Sequence, residues 1–384
     1  GSGAQAALMA PTEILAQQHY ANLKKYADAM QISIALLTGS VKKSQRKPIH
    51  EELEAGTLKI LVGTHALLEE GVKFNRLGLA IVDEQHRFGV AQRSKLWQKN
   101  ADVFPHVLVM TATPIPRTLA MTLYGDLEIS VIDELPKGRK PIITTHRFDS
   151  HRLLVNGFLK TQIDAGRQVY IVYPLIEESE KLDLKHLMDG YESIGRAFPE
   201  MPISILHGKM KSEAKDYEMA RFAKGETKIM VATTVIEVGV DVPNASVMVI
   251  ESSERFGLSQ LHQLRGRVGR GAEQSYCILM SGNKLSSDSK VRIQTMVKTN
   301  NGFEISETDL QLRGPGDLMG TQQSGALDLL IADLGKDGEI LKEAREAAMQ
   351  ILEADPMLEK PENKVIKIQV ESLRKTTVNW SRIS

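Results

Sequence analysis

The feature that most constrains the fold is a regular alternation between short apolar runs and longer amphipathic stretches. Five apolar runs lie in the first 145 residues, and a second series of five lies between residues 168 and 280. Amphipathic stretches such as residues 12–30, with apolar side chains at helical spacing, separate the runs. Strands that alternate with helices form parallel βαβ units, so the sequence predicts an α/β fold with two mainly parallel sheets. The predicted strands cover residues 6–10, 32–38, 58–64, 77–83 and 107–113, then 168–175, 203–206, 228–233, 246–251 and 274–280.

A segment rich in proline, glycine and basic residues separates the two series. It reads LPKGRKP over residues 135–141, and this composition predicts an interdomain linker. A chain of 384 residues is also too long for one ordinary core. We therefore predict α/β domains at residues 1–145 and 146–284, followed by a mostly helical C-terminal region at residues 285–384. Apart from this doubled architecture, no repeat is visible in the sequence.

Composition limits the classes of protein to which the chain can belong. Lysine plus arginine equals aspartate plus glutamate at 48 each, so any basic track for a nucleic acid must be local. The single cysteine, Cys277, excludes an internal disulfide framework and indicates a reducing cytoplasm. Its apolar surroundings, SYCILM, favour a buried structural thiol over a reactive one. No apolar run approaches the roughly 20 residues that span a bilayer, so we expect no membrane partner.

Polar residues follow the strands of the first series where each strand ends. They form the motifs APTE at 10–13, GTH at 63–65, DEQH at 83–86 and TATP at 111–114. Because parallel strands deliver their loops to a shared edge of the sheet, we expect these motifs on one rim. Nucleotide hydrolysis uses an aspartate that holds the water shell of Mg²⁺ and a glutamate that orients the attacking water. Asp83 and Glu84 fit these two roles, whereas strand-end threonines such as Thr111 also serve as helix caps, a reading that stays open.

The second series contributes the motifs TTVIEVGVD at 233–241 and QLRGRVGR at 263–270. The second motif combines three arginines with two glycines, and each glycine would cost about 1 kcal/mol in a helix interior. A merely solvated basic face would have no reason to include Gly266 and Gly269. We expect glycine to permit close backbone approach while Arg267 and Arg270 bind phosphate oxygens, since the arginine fork is planar, charged and bidentate.

These motifs together carry a resemblance to a known family. In order, APTEILAQQH, VGTHAL, DEQHRFG, TATPIPRT, LHGKM, TTVIEVGVDVP and QLHQLRGRVGR resemble the motifs of superfamily 2 helicases, which have two RecA-like domains. DEQHRFGVAQR and TATPIPRTLA are most similar to helicases of the RecG type. Downstream, GFEI, DLQLRGPG and GTQQSG resemble the translocation motif that RecG shares with the transcription-repair coupling factor. The resemblance covers residues 5–330 and implies that the remainder is the C-terminal region of that family.

The resemblance implies ATP and Mg²⁺ as cofactors and assigns roles to individual positions. Asp83 and Glu84 would serve the metal and the hydrolytic water, with Asp83 as the metal ligand. Arg267 and Arg270 would be arginine fingers. Nucleotide contacts would come from Gln263, Gly239 and Asp241. Binding of nucleic acid, or its coupling to hydrolysis, would involve Pro11, Thr12, Gly63, Thr64, Thr111, Thr113, Thr233, Arg313, Gln322 and Gln323, although the turn at 314–316 also fits a plain structural loop.

The function implied is that of an ATP-driven double-stranded DNA translocase that remodels branched DNA in repair and recombination. We expect a cytoplasmic monomer that binds branched or duplex DNA, with a single-stranded DNA-binding protein as a further candidate partner. The family's phosphate-binding loop and its wedge domain should precede Ala6, so we expect the chain as given to be inactive. Two alternatives are a coupling-factor-like translocase, which usually has Arg-Gly-Ala-Gly at 313–316, and a non-catalytic fragment that binds DNA or protein.

Overall fold

The computed structural model describes residues 3–99, 104–112, 128–134, 136, 138–175, 180–234, 242–313 and 337–376. The chain divides into two compact units, the first formed by residues 1–130 with 313–384 and the second by residues 131–312. The boundary that the sequence placed near residue 145 falls inside a strand, Ile143–Phe148, that pairs with the sheet of the second unit. The predicted domain boundaries at 1–145, 146–284 and 285–384 stay a prediction.

The first unit is built on a parallel sheet. Its described strands are β1 (Gln5–Met9), β2 (Ile34–Leu37), β3 (Ile60–Gly63), β4 (Leu77–Val82) and β5 (His106–Val109), in the order β2-β3-β1-β4-β5. All four pairings are parallel. The helices α1 (Glu13–Ala29), α2 (Lys43–Glu54) and α3 (Val90–Trp97) alternate with the strands. Each strand predicted for this part of the chain is present, with ends that differ by a few residues.

The second unit repeats this architecture around a larger parallel sheet. Its described strands are β6 (Ile143–Phe148), β7 (Gln168–Val172), β8 (Ile203–Leu206), β9 (Ile229–Ala232), β10 (Ala245–Ile250) and β11 (Tyr276–Ser281), in the order β6-β11-β10-β7-β9-β8. The helices are α4 (Arg152–Asp164), α5 (Glu180–Ala197), α6 (Ser212–Ala223), α7 (Leu258–Arg265), α8 (Ser287–Lys298) and α9 (Gly302–Arg313). The sequence did not predict β6, because ITTHRF is an edge strand with four polar residues and forms no apolar run.

Two further helices follow in the C-terminal region, α10 (Gly338–Ala354) and α11 (Lys364–Thr376). The carboxylate of Asp355 organises the connection between them. It accepts hydrogen bonds from the backbone N–H groups of Glu359 (2.9 Å) and Lys360 (2.8 Å) and from the side-chain amide of Asn363 (2.9 Å). In the part of the chain that the structure describes, no helix combines the length and the apolar character that crossing a membrane requires.

The two units also share local details that the sequence analysis missed. Gln5 begins β1, and its side-chain amide donates to the carbonyl oxygens of Leu53 (2.8 Å) and Leu58 (2.7 Å). In the second unit Gln168 begins β7, and its amide donates in the same way to Phe222 (2.6 Å) and Thr227 (2.8 Å). In both units a buried glutamine therefore joins the last turn of a helix to the chain that enters the next strand.

A second repeated detail lies after β4 and β10, where the sequences are DEQHRFG and ESSERFG. Glu84 and Ser252 take up the same left-handed conformation, with φ and ψ of 49° and 52° for Glu84 and of 47° and 48° for Ser252. Each begins a short 3₁₀ turn, and a buried phenylalanine follows, Phe88 in one unit and Phe256 in the other. The doubling therefore reaches individual residues, contrary to our expectation from the sequence.

Candidate functional site

An acidic corner at the end of β4 carries the predicted metal ligand. The backbone N–H of Asp83 donates to the carbonyl of Met9 (2.9 Å), so pairing with β1 continues to the corner. Oδ1 of Asp83 accepts the backbone N–H of Glu84 (2.8 Å), and Oδ2 lies 2.7 Å from Nε2 of His19 on α1. The side chain of Asp83 remains 17% exposed. A partly exposed carboxylate with free lone pairs suits Mg²⁺, which keeps several waters and uses one or two protein carboxylates, so the corner fits this metal.

Glu84 adopts an unusual backbone conformation at this corner. Its φ of 49° lies in the left-handed region, where a residue with a Cβ is strained by roughly 1–2 kcal/mol. The carboxylate Oε2 accepts the backbone N–H of Ala112 (3.3 Å), which follows β5, and the neighbouring N–H of Gln85 donates to Met110 (3.1 Å). The predicted catalytic glutamate is therefore connected to the motif that contains Thr111.

Gln85 stabilises the turn that follows Glu84. Its side chain is buried, and its Oε1 accepts a hydrogen bond from the guanidinium of Arg93 on α3 (2.7 Å). This contact ties the 3₁₀ turn Gln85–Arg87 to the following helix. The backbone conformation of Glu84 is thus held by polar contacts on both of its sides.

Two other strands of the first unit are followed by threonines, β1 by Thr12 and β3 by Thr64. Thr12 caps α1, because its hydroxyl accepts the backbone N–H of Leu15 (3.3 Å). Thr12 is therefore a helix cap, and its predicted role in nucleic-acid binding stays a prediction, as does that of Pro11. The hydroxyl of Thr64 is buried and has no hydrogen-bond partner among the residues that the structure describes. Gly63 has a structural reason of its own, since a Cβ would collide with the carbonyl of Leu37 and the side chain of Leu67.

The second unit places Thr233 at the position that corresponds to Thr64. The backbone N–H of Thr64 donates to Leu37 (3.3 Å), and that of Thr233 donates to Leu206 (3.1 Å). Both hydroxyls are buried at a strand end, and in the part of the chain that the structure describes neither has a hydrogen-bond partner. Unsatisfied hydroxyls cost free energy, so each such group calls for an explanation.

The arginine-rich motif begins on α7 and continues into the loop after it. Arg265 is 2% exposed and donates to the carbonyl oxygens of Met296 (2.9 Å) and Thr299 (2.8 Å) at the end of α8. Its guanidinium lies 3.2 Å from Nδ1 of His262. Burial, followed by the nearby charge of Arg265, lowers the pKa of His262 to about 4. Arg265 is therefore a structural residue, in contrast to Arg267 and Arg270, which are partly exposed.

The two glycines of this motif differ in their structural need. Gly269 has a φ of 81°, and a Cβ there would lie 3.0 Å from Cγ1 of Ile142. Gly266 ends α7 with a φ of −66°, and the nearest atom to a Cβ there would be the carbonyl oxygen of Gln263 at 3.4 Å. The fold therefore requires glycine at position 269, whereas position 266 has room for a side chain.

The acidic residue after β10, Glu251, has different hydrogen-bond partners from Asp83. Glu251 is 4% exposed, and its two carboxylate oxygens accept hydrogen bonds from Arg152 at 2.7 and 2.8 Å. Arg152 also donates to Asp149 (2.8 Å), and the hydrogen bonds that it donates to Glu251 are the largest cause of its raised pKa. The carboxylate of the second corner is therefore paired internally.

The remaining predicted residues have these positions. Thr111 follows β5 and is partly exposed, Gln263 lies on α7, and Arg313 is the last residue of α9. Cys277 is buried in β11, and burial raises its thiol pKa to about 12, as expected for a structural cysteine. Five predicted residues lie outside the part of the chain that the structure describes, namely Thr113, Gly239, Asp241, Gln322 and Gln323.

Sequence reasoning missed two polar residues of these sites, His19 and Arg265. His19 lies seven residues after Thr12 on α1, inside the motif APTEILAQQH. No pattern in the sequence indicates that it meets Asp83, which is 64 residues further along the chain. Arg265 lies in the same motif as the finger candidates, and only its burial distinguishes it from them.

Comparison with protein families divides the chain into three matched segments. Residues 1–122 match the DEAD/DEAH box helicase model, and residues 151–272 match the helicase conserved C-terminal domain. Residues 299–384 match the model for domain 3, C-terminal, of ATP-dependent DNA helicase RecG.

Curated proteins named ATP-dependent DNA helicase RecG are similar along nearly the whole chain. The protein from Synechocystis is 54% identical over 95% of this chain and 44% of its own length. The Bacillus subtilis protein is 50% identical over 95% of this chain and 53% of its own length. This chain belongs to the RecG helicase family. It spans about half the length of these RecG relatives.

Solved structures agree with this family and with the fold. A RecG bound to a three-way DNA junction superposes with a TM-score of 0.70 at 42% identity, covering 88% of this chain and 44% of that one. The helicase MrfA bound to DNA and AMPPNP has a TM-score of 0.57 at 16% identity, covering 90% of this chain and 52% of that one, which shows the fold alone. The two parallel sheets are therefore the pair of RecA-like domains that the resemblance implied.

Proposed function

We propose that this chain is the motor portion of an ATP-dependent double-stranded DNA translocase that remodels branched DNA in repair and recombination. The observation that carries the proposal is the similarity to RecG proteins, which extends over 92–96% of the chain and includes a relative bound to a three-way DNA junction. The acidic corner and the arginine motif supply the residue types that such a motor needs. We further propose a cytoplasmic monomer, with single-stranded DNA-binding protein as a candidate partner.

Asp83 and Glu84 divide the work at the acidic corner. Asp83 would hold Mg²⁺ through its water shell, and the metal supplies neutralisation of phosphate charge when it is bound. Glu84 would orient the attacking water, and the hydrogen bond that its carboxylate accepts from the backbone N–H of Ala112 lies next to Thr111. Glu84 has a left-handed backbone conformation, which glycine or asparagine usually adopts. This conformation sets the direction of its carboxylate.

Arg267 and Arg270 act as the fingers that stabilise charge on the transferred phosphoryl group. Arg265 anchors the helix before them to the end of α8 through two carbonyl oxygens. An anchored helix lets the two following arginines reach a fixed position, and a finger of this kind contributes about 10³ to 10⁵ in rate. Gln263, Gly239 and Asp241 are proposed nucleotide contacts.

Strand ends in each unit are proposed to bind DNA. Thr64 and Thr233 carry buried hydroxyls at corresponding positions, neither has a hydrogen-bond partner among the described residues, and a phosphate oxygen would satisfy such a group. The proposed set in the first unit is Pro11, Thr12, Gly63, Thr64, Thr111 and Thr113. Arg313, Gln322 and Gln323 are proposed to transmit the domain movement to the duplex.

The decisive variant is Arg267→Ala in a longer protein that contains this chain together with the phosphate-binding loop of the family. We expect DNA-stimulated ATP hydrolysis to fall at least about a thousandfold, because the transition-state charge loses its partner, while duplex DNA binding is retained. Steady-state ATPase assays with and without forked DNA, and fluorescence anisotropy for DNA binding, measure the two effects.

Arg196→Ala is the matched control, since Arg196 is an exposed arginine on α5 of the same unit whose only described ion pair is a long one with Glu192 (3.9 Å). This control should keep full activity. Undiminished hydrolysis by the Arg267→Ala protein would overturn the assignment of the finger.

The family comparison also favours RecG over a coupling-factor-like translocase. The matched RecG model covers residues 299–384, which include the segment 313–316 where the two families differ. A coupling factor must bind RNA polymerase tightly, so a pull-down with purified polymerase tests this choice. Tight binding would reverse it.

A further inference from the structure

The contact between His19 and Asp83 is the feature of the first unit that the proposed function leaves unexplained. Nε2 of His19 lies 2.7 Å from Oδ2 of Asp83, which is a short, charge-assisted distance. The carboxylate only accepts, so the ring nitrogen donates in this hydrogen bond. The side chains are 27% and 17% exposed, so solvent reaches the pair without separating it.

The two oxygens of Asp83 are held independently. Oδ1 accepts the backbone N–H of Glu84 (2.8 Å), and Oδ2 accepts from His19, so rotation of the carboxylate about its last bond is restricted. Each oxygen keeps lone pairs for the waters of a Mg²⁺ shell. Glu251 at the corresponding corner is different, because Arg152 occupies both of its oxygens and the carboxylate is more deeply buried than that of Asp83.

His19 also connects the acidic corner to the N-terminus of α1. The helix begins after the cap Thr12, and His19 follows seven residues later, which is about 10 Å along the axis and nearly the same face of the helix. Thr12 and Pro11 belong to the proposed grip on DNA. A rigid two-turn segment of helix therefore separates a proposed DNA contact from a partner of the proposed metal ligand.

We propose that His19 is a positioning residue that fixes the carboxylate of Asp83 for Mg²⁺ and makes this geometry depend on DNA at the start of α1. The inference rests on the proposed function, since it needs both ligands. When DNA holds the first turn of α1, the ring of His19 is held against Oδ2, and the metal site is preorganised. The contact is already formed in the structure at 2.7 Å, and DNA bound at the start of α1 would limit the shifts of the helix that loosen it.

The test compares His19→Leu with His19→Gln in the longer protein that carries the phosphate-binding loop. Glutamine keeps an N–H donor at about the reach of Nε2, whereas leucine keeps only the volume. The readout is the Mg²⁺ concentration that gives half-maximal binding of a fluorescent ATP analogue, measured with and without forked DNA. We expect DNA to lower this concentration in the wild type.

For His19→Leu we expect the half-saturating Mg²⁺ concentration to rise about tenfold in the presence of DNA, and the effect of DNA to disappear. His19→Gln should restore most of both properties. The control is Gln17→Leu, an exposed residue of the same helix, which should behave as the wild type. Circular dichroism melting of each variant reports its folding.

Two results would overturn the inference. One is an unchanged Mg²⁺ requirement in His19→Leu, and the other is an equal loss in the leucine and glutamine variants, which a merely structural contact would produce. An assay of DNA-stimulated ATPase in the wild-type protein distinguishes failure of the proposed function from failure of the role of His19. Absence of wild-type turnover would overturn the proposed function, whereas normal turnover with unchanged Mg²⁺ dependence would overturn only the role of His19.

Discussion

At the scale of single residues, Glu84 and Ser252 show how one backbone conformation serves two purposes. Both are left-handed, with φ values of 49° and 47°, and both lead into a 3₁₀ turn after a buried strand. In the first unit the conformation directs a proposed catalytic carboxylate. In the second unit it turns the chain, while the neighbouring acid Glu251 is paired with Arg152. The two residues share the same strained backbone conformation, but only Glu84 has a proposed catalytic role.

We predict that Ser252→Gly stabilises the chain by about 0.5–1 kcal/mol. Glycine removes the left-handed strain of roughly 1–2 kcal/mol, and the greater freedom of the unfolded chain offsets part of this gain. Glu84→Gly should produce a similar gain and abolish hydrolysis in the longer protein. Urea titrations followed by circular dichroism measure the free energy of unfolding.

Ser253→Gly is the neighbouring control. Ser253 begins the 3₁₀ turn and does not have a positive φ, so glycine there should destabilise the chain. If Ser252→Gly and Ser253→Gly destabilise equally, strain at residue 252 is refuted.

At the scale of elements, the loop after α7 is shaped by the packing of its own unit. Arg265 closes the helix against α8, Gly269 turns with a φ of 81° beside Ile142, and the N–H of Gly269 donates to Ser275 (3.1 Å). Gly271 lies so close to Pro243 that a Cβ would come within 2.6 Å of its carbonyl oxygen. Most of the loop is therefore determined by contacts within the second unit, and Gly266 is the exception.

We predict that Gly269→Ala costs about 1–3 kcal/mol, because alanine there is left-handed and crowds Ile142. Gly266→Ala should leave stability unchanged or slightly higher, since its φ of −66° and its surroundings accept a Cβ. Thermal melting compares the two variants. A loss of ATPase in Gly266→Ala without a loss of stability would show that a ligand approaches the backbone at this position, and a large loss of stability would contradict our reading.

At the scale of the whole molecule, the buried pair of His262 and Arg265 makes stability depend on pH. The histidine pKa is about 4 in the folded chain, against about 6.5 when unfolded. The neutral ring therefore stabilises the fold fully above pH 6.5, and this contribution falls as the pH drops towards 4. At pH 5 the loss amounts to about 2 kcal/mol.

We predict that His262→Asn, which keeps an acceptor for Arg265, lacks this part of the acid sensitivity. The free energy of unfolding, measured with urea at pH 8 and pH 5, should fall by about 2 kcal/mol more in the wild type than in the variant. The difference isolates one residue, because all other titrating groups are common to both proteins. Equal pH dependence in the two proteins would show that His262 titrates normally.

The sequence predicted elements well where hydrophobic burial alone decides them. The strands β1 to β5 and β7 to β11 are apolar runs, and each was found within a few residues. The strand β6 was missed because four of the six residues in ITTHRF are polar, so it forms no apolar run, whereas the edge strands β2, β5 and β8 do. The repeated corners were missed because only their last three residues are alike.

The α/β architecture, the rim motifs and the family follow from the sequence alone, because they depend on the spacing of apolar runs and short motifs along the chain. Only the tertiary structure separated Arg265 from Arg267 and Arg270, since burial depends on the packing of α7 against α8. It alone brought His19 to Asp83, because parallel pairing of β1 with β4 carries residues 64 positions apart to one edge of the sheet. Side chains that meet through such crossovers leave no periodic signal in the sequence.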